Sequence, residues 1–368
     1  LLKYHPITIR IDGKGEKMAQ SLFEINPFPL KDASLSEYQA LNQHTNCIRH
    51  ERLPDDPSIP LDETIKNLQS IPPFVDVRMW AAWNPEKSEI VAFGNVSLMR
   101  MEDNKNLAQF EITVLSQYRR QGFGRRMLQL IVETARADHR HLLMTETINR
   151  IPEGEAFLKR IGAQKGLETH TNQLSMNDLN PRLLNEWLVN GQENLKEFET
   201  GIWRGAYPEE KIQEIADLLE LTNQQPFGDL EIEDMHMTPE QIRQSEQNIF
   251  ARGSQRWTIY AVDRTTGKFA GYTETIWNPN RPEILLQEMT GVFPQFRNKG
   301  LGRWLKAVML DKVLKEHPGI KYIRTGNADS NAAMLKINTE LGFKPYMANT
   351  LWQAEVQIVM DYLHIDKH

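Results

Sequence analysis

The chain has 368 residues, 40% of them hydrophobic and 25% charged, an ordinary globular composition with room for two domains. A net charge of −6 leaves no basic excess for nucleic acid or an anionic membrane surface, and it is compatible with a cationic acceptor. The single cysteine, Cys47, excludes an internal disulfide, and no run of about 18 apolar residues offers a membrane span, so a cytoplasmic protein is expected.

Residues 1–6 carry neither an initiator methionine nor a signal-peptide pattern, as expected of a trimmed start. Leu35, Tyr38 and Leu41 recur at three-residue steps, which predicts a helix over 33–43. An acidic, proline-rich loop over 52–60 and a helix over 62–70 follow. The β-rich runs 77–83 and 90–101 read as a hairpin, and 107–114 as a further strand. A glycine turn then opens a helix over 124–137, followed by a strand at 142–145 and a helix over 153–161 closed by Gly162. Residues 181–198 read as a connecting helix. The same order then recurs: a helix over 208–221, an acidic loop over 225–234, and a helix over 238–250 with a Thr238/Gln241 cap. A hairpin of 257–262 with 269–277, a strand at 285–292, a second glycine turn with its helix, a strand at 321–325, a helix over 331–341 and a strand at 350–358 complete it.

The recurrence is a register, not a likeness of composition. Arg297 − Arg119 is 178, and nearby offsets pair Trp80 with Trp257, Glu63 with Glu240 and Ile161-Gly162 with Leu341-Gly342. The expected architecture is α/β, as two tandem domains, each a mixed, mostly antiparallel sheet flanked by helices. The first is expected over 1–180, the connecting helix over 181–198, and the second domain over 199–368.

Both copies carry Arg-x-x-Gly-x-Gly between a strand and a helix, at Arg119/Gly122/Gly124 and Arg297/Gly300/Gly302. Such a turn gathers backbone N–H groups at a helix start, where a pyrophosphate fits. A dinucleotide fingerprint needs a third glycine, but Met127 and Leu305 stand there, and neither turn has the Gly-Lys-Ser/Thr of a P-loop. A basic rim of Arg297, Lys299, Arg303 and Lys306 is expected around the second turn, and of Arg119, Arg120, Arg125 and Arg126 around the first. His139 and His141 lack a third ligand at metal-site spacing, so no metal is expected.

These residues, with Asn331-x-x-Met-Leu-x-x-Asn338-x-x-Leu-Gly-Phe343 downstream, resemble motifs A and B of the GNAT family of N-acetyltransferases. The tandem arrangement is similar to the mycothiol-synthase-like members. The resemblance is fuller in the second half than in the first. It implies acetyl-CoA as co-substrate in a gap between two splayed parallel strands. Its pyrophosphate would lie on Arg297, Asn298, Lys299, Gly300, Leu301, Gly302 and Arg303, its pantetheine would run beside Val292 and Phe293, and Asn331 would contact the arm. A second site is implied at Val114, Arg119, Arg120, Gln121, Gly122, Phe123, Gly124 and Arg125.

The implied reaction is direct attack of an acceptor amine on the thioester, with a base for the amine, an N–H for the carbonyl and an acid for the leaving thiolate. A bulged strand near Gly291 and Val292 would supply the N–H. Glu288 is the candidate base, or else it pairs with an arginine; Glu274 is the alternative. The acid position of the family, commonly tyrosine, is Asn338 here. Asparagine cannot donate as an acid, so water or a hydroxyl such as Tyr346 substitutes, or Asn338 merely packs its helix. The loop acids Asp229, Glu231, Glu233 and Asp234 either attract a cationic acceptor or sit solvated. In the first copy the motif-B positions are Ile151, Leu158 and Gly162-Ala163, and Glu111 is an isolated acid, so catalysis is expected in the C-terminal half.

The expected function is acetyl transfer to the primary amine of a small molecule by a monomer or homodimer, without nucleic-acid or membrane partners. A non-catalytic acyl-CoA-binding scaffold and a protein-lysine acetyltransferase are the competing expectations.

Overall fold

The computed structural model describes residues 23–365; the chain start at residues 1–6 lies outside them. The N-terminal half runs β1 (Ile25–Pro27), α1 (Leu35–Arg52), α2 (Leu61–Gln69), β2 (Val75–Trp83), β3 (Ile90–Met99), β4 (Leu107–Val114), α3 (Phe123–Ala137), β5 (Leu142–Ile148), α4 (Pro152–Arg160) and β6 (Gln164–Ser175). After α5 (Pro181–Asn194) and β7 (Phe198–Arg204) come α6 (Ile212–Leu219), α7 (Pro239–Ala251), β8 (Gln255–Asp263), β9 (Phe269–Trp277), β10 (Ile284–Val292), α8 (Leu301–Glu316), β11 (Tyr322–Ala328), α9 (Ala332–Leu341), β12 (Lys344–Glu355) and α10 (Val356–Leu363).

Local chemistry sets several of these boundaries. Ser34 and Glu37 close a capping box at α1, and Thr238 and Gln241 close the expected one at α7. The β2–β3 turn is held by the Asn84 side chain, which accepts from the N–H groups of Ser88 and Glu89 at 2.8 and 3.0 Å. Asp263 does the same in the β8–β9 turn, and Gly267 takes φ 70° there.

Among the described residues twelve strands form one sheet, ordered β1-β2-β3-β4-β5-β12-β6-β11-β10-β9-β8-β7. Only the β4–β5 and β10–β11 pairings are parallel, so the sheet is mixed and mostly antiparallel as expected. The two halves exchange their last strands: β6 pairs with β11 of the second half, and β12 pairs with β5 of the first. Successive residues face opposite sides of the sheet. Trp80 and Ala82 pack with α3, while Ala81 packs with α1. In each half, α3 or α8 covers one face and the earlier pair of helices covers the other.

The cores cross with the strands. Trp352, Val356, Val359, Met360 and Leu363 complete the core around α3, and Leu174, Leu184, Trp187 and Leu195 complete the one around α8. Helix α5 crosses α8 at Gly191, where a Cβ would fall inside the Trp304 ring, so only glycine permits the approach. On the opposite face the loops cross too. Buried Asp56 accepts two bonds from Arg324 at 2.7 and 2.8 Å and one from Arg49 at 2.7 Å. Glu233 in turn accepts from the Asn104 N–H at 2.6 Å.

Several elements differ from the sequence reading: β1 and β7 are not expected, α1 runs on to Arg52 past residue 43, and the connecting helix ends at Asn194 rather than residue 198. β6 is not anticipated, because its polar run QKGLETHTNQLS makes sense only between two partner strands. The expected strand over 350–358 begins earlier, at Lys344, and ends at Glu355. The residues after it turn helical, since Val356, Val359, Met360 and Leu363 are buried at helical spacing against α3. The helix expected over 208–221 is α6 flanked by two 3-10 turns.

Candidate active site

The two glycine turns share one backbone. Arg120 and Gly122 have φ 63° and 86°, and Asn298 and Gly300 have φ 63° and 94°, so each turn enters the left-handed region twice. Neither α3 nor α8 has a side-chain N-cap, and their first N–H groups stay open to an anion. Phe123 and Leu301 are buried and anchor the first turn of each helix. The motif arginine locks the turn to the strand it leaves: Arg119 Nε donates to the Val114 carbonyl at 3.1 Å, and Arg297 Nε to the Val292 carbonyl at 2.9 Å.

The surroundings of the turns differ. Arg119 forms a close ion pair with Glu51 and a second with Glu153 at 3.5 Å, which places carboxylates beside the turn. Arg297 instead bonds the neutral amide of Gln224. Lys299 pairs with Glu197 at 3.2 Å and Arg303 with Glu340 at 3.0 Å. In the first turn Gln121 donates to the Gln117 carbonyl at 3.1 Å, and Arg125 and Arg126 donate to the carbonyls of Leu363 and Phe23. Lys306 is not part of the rim: it is 2% exposed, because its helix face turns inward.

Beyond the turns the parallel strands part. β4 pairs with β5 only through Leu107–Gln109, and β10 with β11 only through Ile284–Leu286. Each half therefore has a V-shaped gap whose walls carry unpaired strand backbone. Gly124 and Gly302 leave the walls free of side chains: a Cβ at Gly302 would lie 3.8 Å from Val292 and Ile337, and one at Gly124 would lie 3.5 Å from Phe157. Phe293 closes the strand end with its N–H on the Ala270 carbonyl, 3.0 Å away.

Only one gap has a bulged wall. β3 and β4 keep one register from Ala92–Val114 to Ser97–Gln109. In β10 the register with β9 shifts between Gln287 and Thr290, so Glu288 and Met289 bulge. The bulge lies upstream of the expected position near Gly291 and Val292. It is tied from the α8 side. Gln287 Nε2 donates to the Glu274 carbonyl at 2.7 Å and to Thr273 Oγ1 at 3.0 Å, and the Thr273 and Thr290 hydroxyls bond at 2.7 Å.

Glu288 points to the opposite face, the side of Glu274. Solvent reaches its side chain, yet the cleft walls push its carboxyl above the usual range, and the nearby Glu274 charge adds in the same direction. Glu274 is more committed. It accepts from the Tyr207 hydroxyl at 2.7 Å and Thr258 Oγ1 at 2.8 Å, and Arg256 lies 3.6 Å away. The counterpart of Glu288 across the repeat is no rival either: Glu111, at the matching place on β4, is paired with Arg52 at 2.9 Å.

The motif-B residues are held as follows. Asn331 caps α9, accepting from the Met334 N–H at 3.3 Å. Asn338 is 1% exposed, donates to Asn327 Oδ1 at 2.7 Å and accepts from Lys306 Nζ at 2.8 Å. Tyr346 stands between the guanidinium groups of Arg150 and Arg324, each 4.5 Å from its ring, and its buried hydroxyl has no partner among the described residues. The acids of the 225–234 loop are not gathered at the gap. Glu233 bonds Asn104, and Asp229 and Glu231 are bonded to Gln353 through their backbones.

Two cavities, of ≈ 540 Å³ by Arg204 and His317 and ≈ 610 Å³ by His139 and Glu355, lie outside both gaps. Among the described residues no group of three or more His, Cys, Asp or Glu side chains is placed to hold a metal, and no helix is long and apolar enough to cross a membrane.

The sequence profile of the acetyltransferase (GNAT) family matches residues 42–162, within the half whose motif-B helix is the poorer. No curated protein matches the chain. Among solved structures, a tandem GNAT protein from the clavulanic acid biosynthesis pathway is 22% identical at TM-score 0.72, over 91% of this chain and 98% of its own. A GCN5-related N-acetyltransferase from Sphaerobacter thermophilus is 12% identical at TM-score 0.65, over 91% and 96%.

Proposed function

We propose that this protein, which carries a GNAT acetyltransferase domain and folds as a tandem GNAT protein, transfers the acetyl group of acetyl-CoA to a primary amine of a small molecule in its C-terminal half. The observation that carries the reading is the bulge at Glu288–Met289, present in β10 and absent from the matching β4. A bulge frees a backbone N–H beside the gap, where it can bind the thioester oxygen as negative charge develops there.

The open N–H groups at the start of α8 would hold the pyrophosphate, and the unpaired edge of β10 down to Val292 would align the pantetheine as an added strand. Glu288 takes the ammonium proton of the acceptor and passes it to solvent; the free amine attacks the carbonyl carbon, the C–N bond forms and the nitrogen gives its second proton to Glu288, while the C–S bond breaks and sulfur leaves with the bonding pair. A carboxyl held above its usual range is suited to this exchange near neutral pH. Glu274 and Glu288 on one face favour a cationic acceptor.

The profile match to residues 42–162 favours a second reading, in which the N-terminal gap also binds coenzyme. The carboxylates Glu51 and Glu153 at Arg119 weaken that site for a pyrophosphate.

One experiment separates these. Thiol release from acetyl-CoA is followed with a panel of small amines in the parent, Glu288→Gln, Gly302→Leu and Gly124→Leu. Glu288→Gln is expected to lower the rate on the order of 10²-fold and remove the rise of rate with pH. Gly302→Leu abolishes turnover, and Gly124→Leu changes only coenzyme stoichiometry. Equal loss from both glycine variants, or no amine-dependent release by the parent, overturns the reading.

A further inference from the structure

Lys306 is a buried cation with no anion beside it among the described residues. Its ammonium donates to Asn338 Oδ1 at 2.8 Å and lies 5.7 Å from the Phe343 ring. An ammonium has three N–H donors, and no second hydrogen-bond acceptor is found for it among the described residues. Asn338 continues to Asn327 Oδ1 at 2.7 Å, to which Asn172 also donates at 3.4 Å. At the matching places of the first half stand Leu128 and Leu158, both buried. The same helix–helix contact is thus made there without any polar group.

The position of the chain of amides is specific. Asn327 belongs to the part of β11 that has parted from β10, so it borders the gap. Lys306 is one helical turn beyond Gly302 on the same face of α8. That turn leads from the helix start, where the pyrophosphate would sit, toward the bulge. Ile323 and Thr325 share the face of Asn327, with α8 beneath, whereas Glu288 faces the other side of the sheet. Proton acceptor and buried ammonium therefore flank the gap from opposite faces.

We propose that Lys306, held by Asn338, gives the departing CoA thiolate its proton. The inference rests on the transferase reading of the C-terminal gap. The balance is complete: Glu288 passes the ammonium proton to solvent before attack, the amine nitrogen bonds the acetyl carbon and gives its second proton to Glu288, the C–S electron pair goes to sulfur, and sulfur takes a proton from Lys306 Nζ. Both side chains then reset by exchange with solvent. Burial lowers the Lys306 pKa to about 7, which suits a donor at neutral pH. The charged residues on the surrounding elements are engaged elsewhere: Arg303 of α8 with Glu340 of α9, and Arg324 of β11 with Asp56. Lys336 of α9 is exposed.

The test uses the full chain with Lys306→Met, and Lys306→Gln as a second variant that keeps a polar contact with Asn338. Free CoA is bound to each, and the thiolate absorbance is followed with pH; acetyl-CoA affinity and amine-dependent transfer are measured alongside. In the parent, the ammonium is expected to lower the pKa of the bound thiol by about one unit or more relative to the variants. Transfer is expected to fall on the order of 10²-fold in the variants, with acetyl-CoA affinity kept. A bound thiol that titrates alike in parent and variants, or variants that transfer at the parental rate, overturns the proposal and leaves the transferase reading standing. Failure of the parent to bind CoA overturns both. Binding without any amine-dependent transfer overturns the transferase reading, and the thiol titration still decides whether Lys306 meets the sulfur.

Discussion

Lys306 and Leu128 occupy one place in two copies of a helix, and the exchange of a methylene branch for an ammonium there is costly. Desolvation of an unpaired ion amounts to several kcal/mol, which the single bond to Asn338 does not offset. The cost has a pH signature. The Lys306 pKa falls from 10.5 in the unfolded chain to about 7 in the folded one. Between those values the unfolded chain binds a proton that the folded chain lacks, so stability rises with pH across that window. Below pH 7 both states carry the proton and the folded state bears the full penalty. Lys306→Met is therefore expected to be more stable than the parent below pH 7, by up to about 5 kcal/mol less what Asn338 loses with its partner. The margin shrinks as pH approaches 10.5. Denaturant unfolding of the two proteins at pH 6 and pH 10 checks this; a margin independent of pH contradicts it.

At the scale of elements, the two halves keep the same scaffold and differ in a few joints. Both strand–turn–helix units place two residues in the left-handed region, one of them a glycine, and both strands part after three parallel pairs. The bulge in β10 and the amide chain from α8 to β11 belong to the second half alone. Another joint is the α5–α8 crossing, where the Gly191 backbone lies against the Trp304 ring. Gly191→Ala must displace that ring and strain the helix that opens the anion site. An expected loss of about 1–3 kcal/mol in denaturant unfolding, with a parallel fall in acetyl-CoA affinity, follows from overpacking. Unchanged stability would mean that the helices can separate without loss. These joints were only partly legible beforehand. Arg-x-x-Gly-x-Gly announces its turn, because few residue types tolerate φ near +90°. A bulge leaves no such residue requirement, and its place, upstream of the expected one, follows from side-chain ties to Thr273 and Glu274.

The molecule as a whole is less divisible than its repeat suggests. Exchange of β6 and β12 means that each core is finished by residues from the other half, Trp352 and Met360 in one and Leu174 in the other. The buried Asp56–Arg324 pair joins the halves on the opposite face. A chain cut between residues 180 and 181 should then give two fragments that do not fold cooperatively apart. Mixed or co-expressed, they should form a 1:1 complex with the coenzyme affinity of the parent. Cooperative thermal unfolding of the isolated 181–368 fragment would refute this. The same exchange explains why β6 escaped notice. Its polar residues acquire a strand's partners only when β11 and β12 arrive from far along the chain, in the second half.

The sequence by itself determined the repeat, most of the helices and strands within it, and the two glycine turns, because these depend on local periodicity and on the conformational freedom of glycine. It also placed Glu288 and Glu111 at matching positions. Only the tertiary structure decided that Glu111 is paired with Arg52 while Glu288 has no cationic partner among the described residues, that Lys306 turns inward to Asn338, and that the last strands change halves. Each of those depends on which distant surfaces are removed from water together, and burial and charge pairing are properties of the assembled fold that no local stretch of chain specifies.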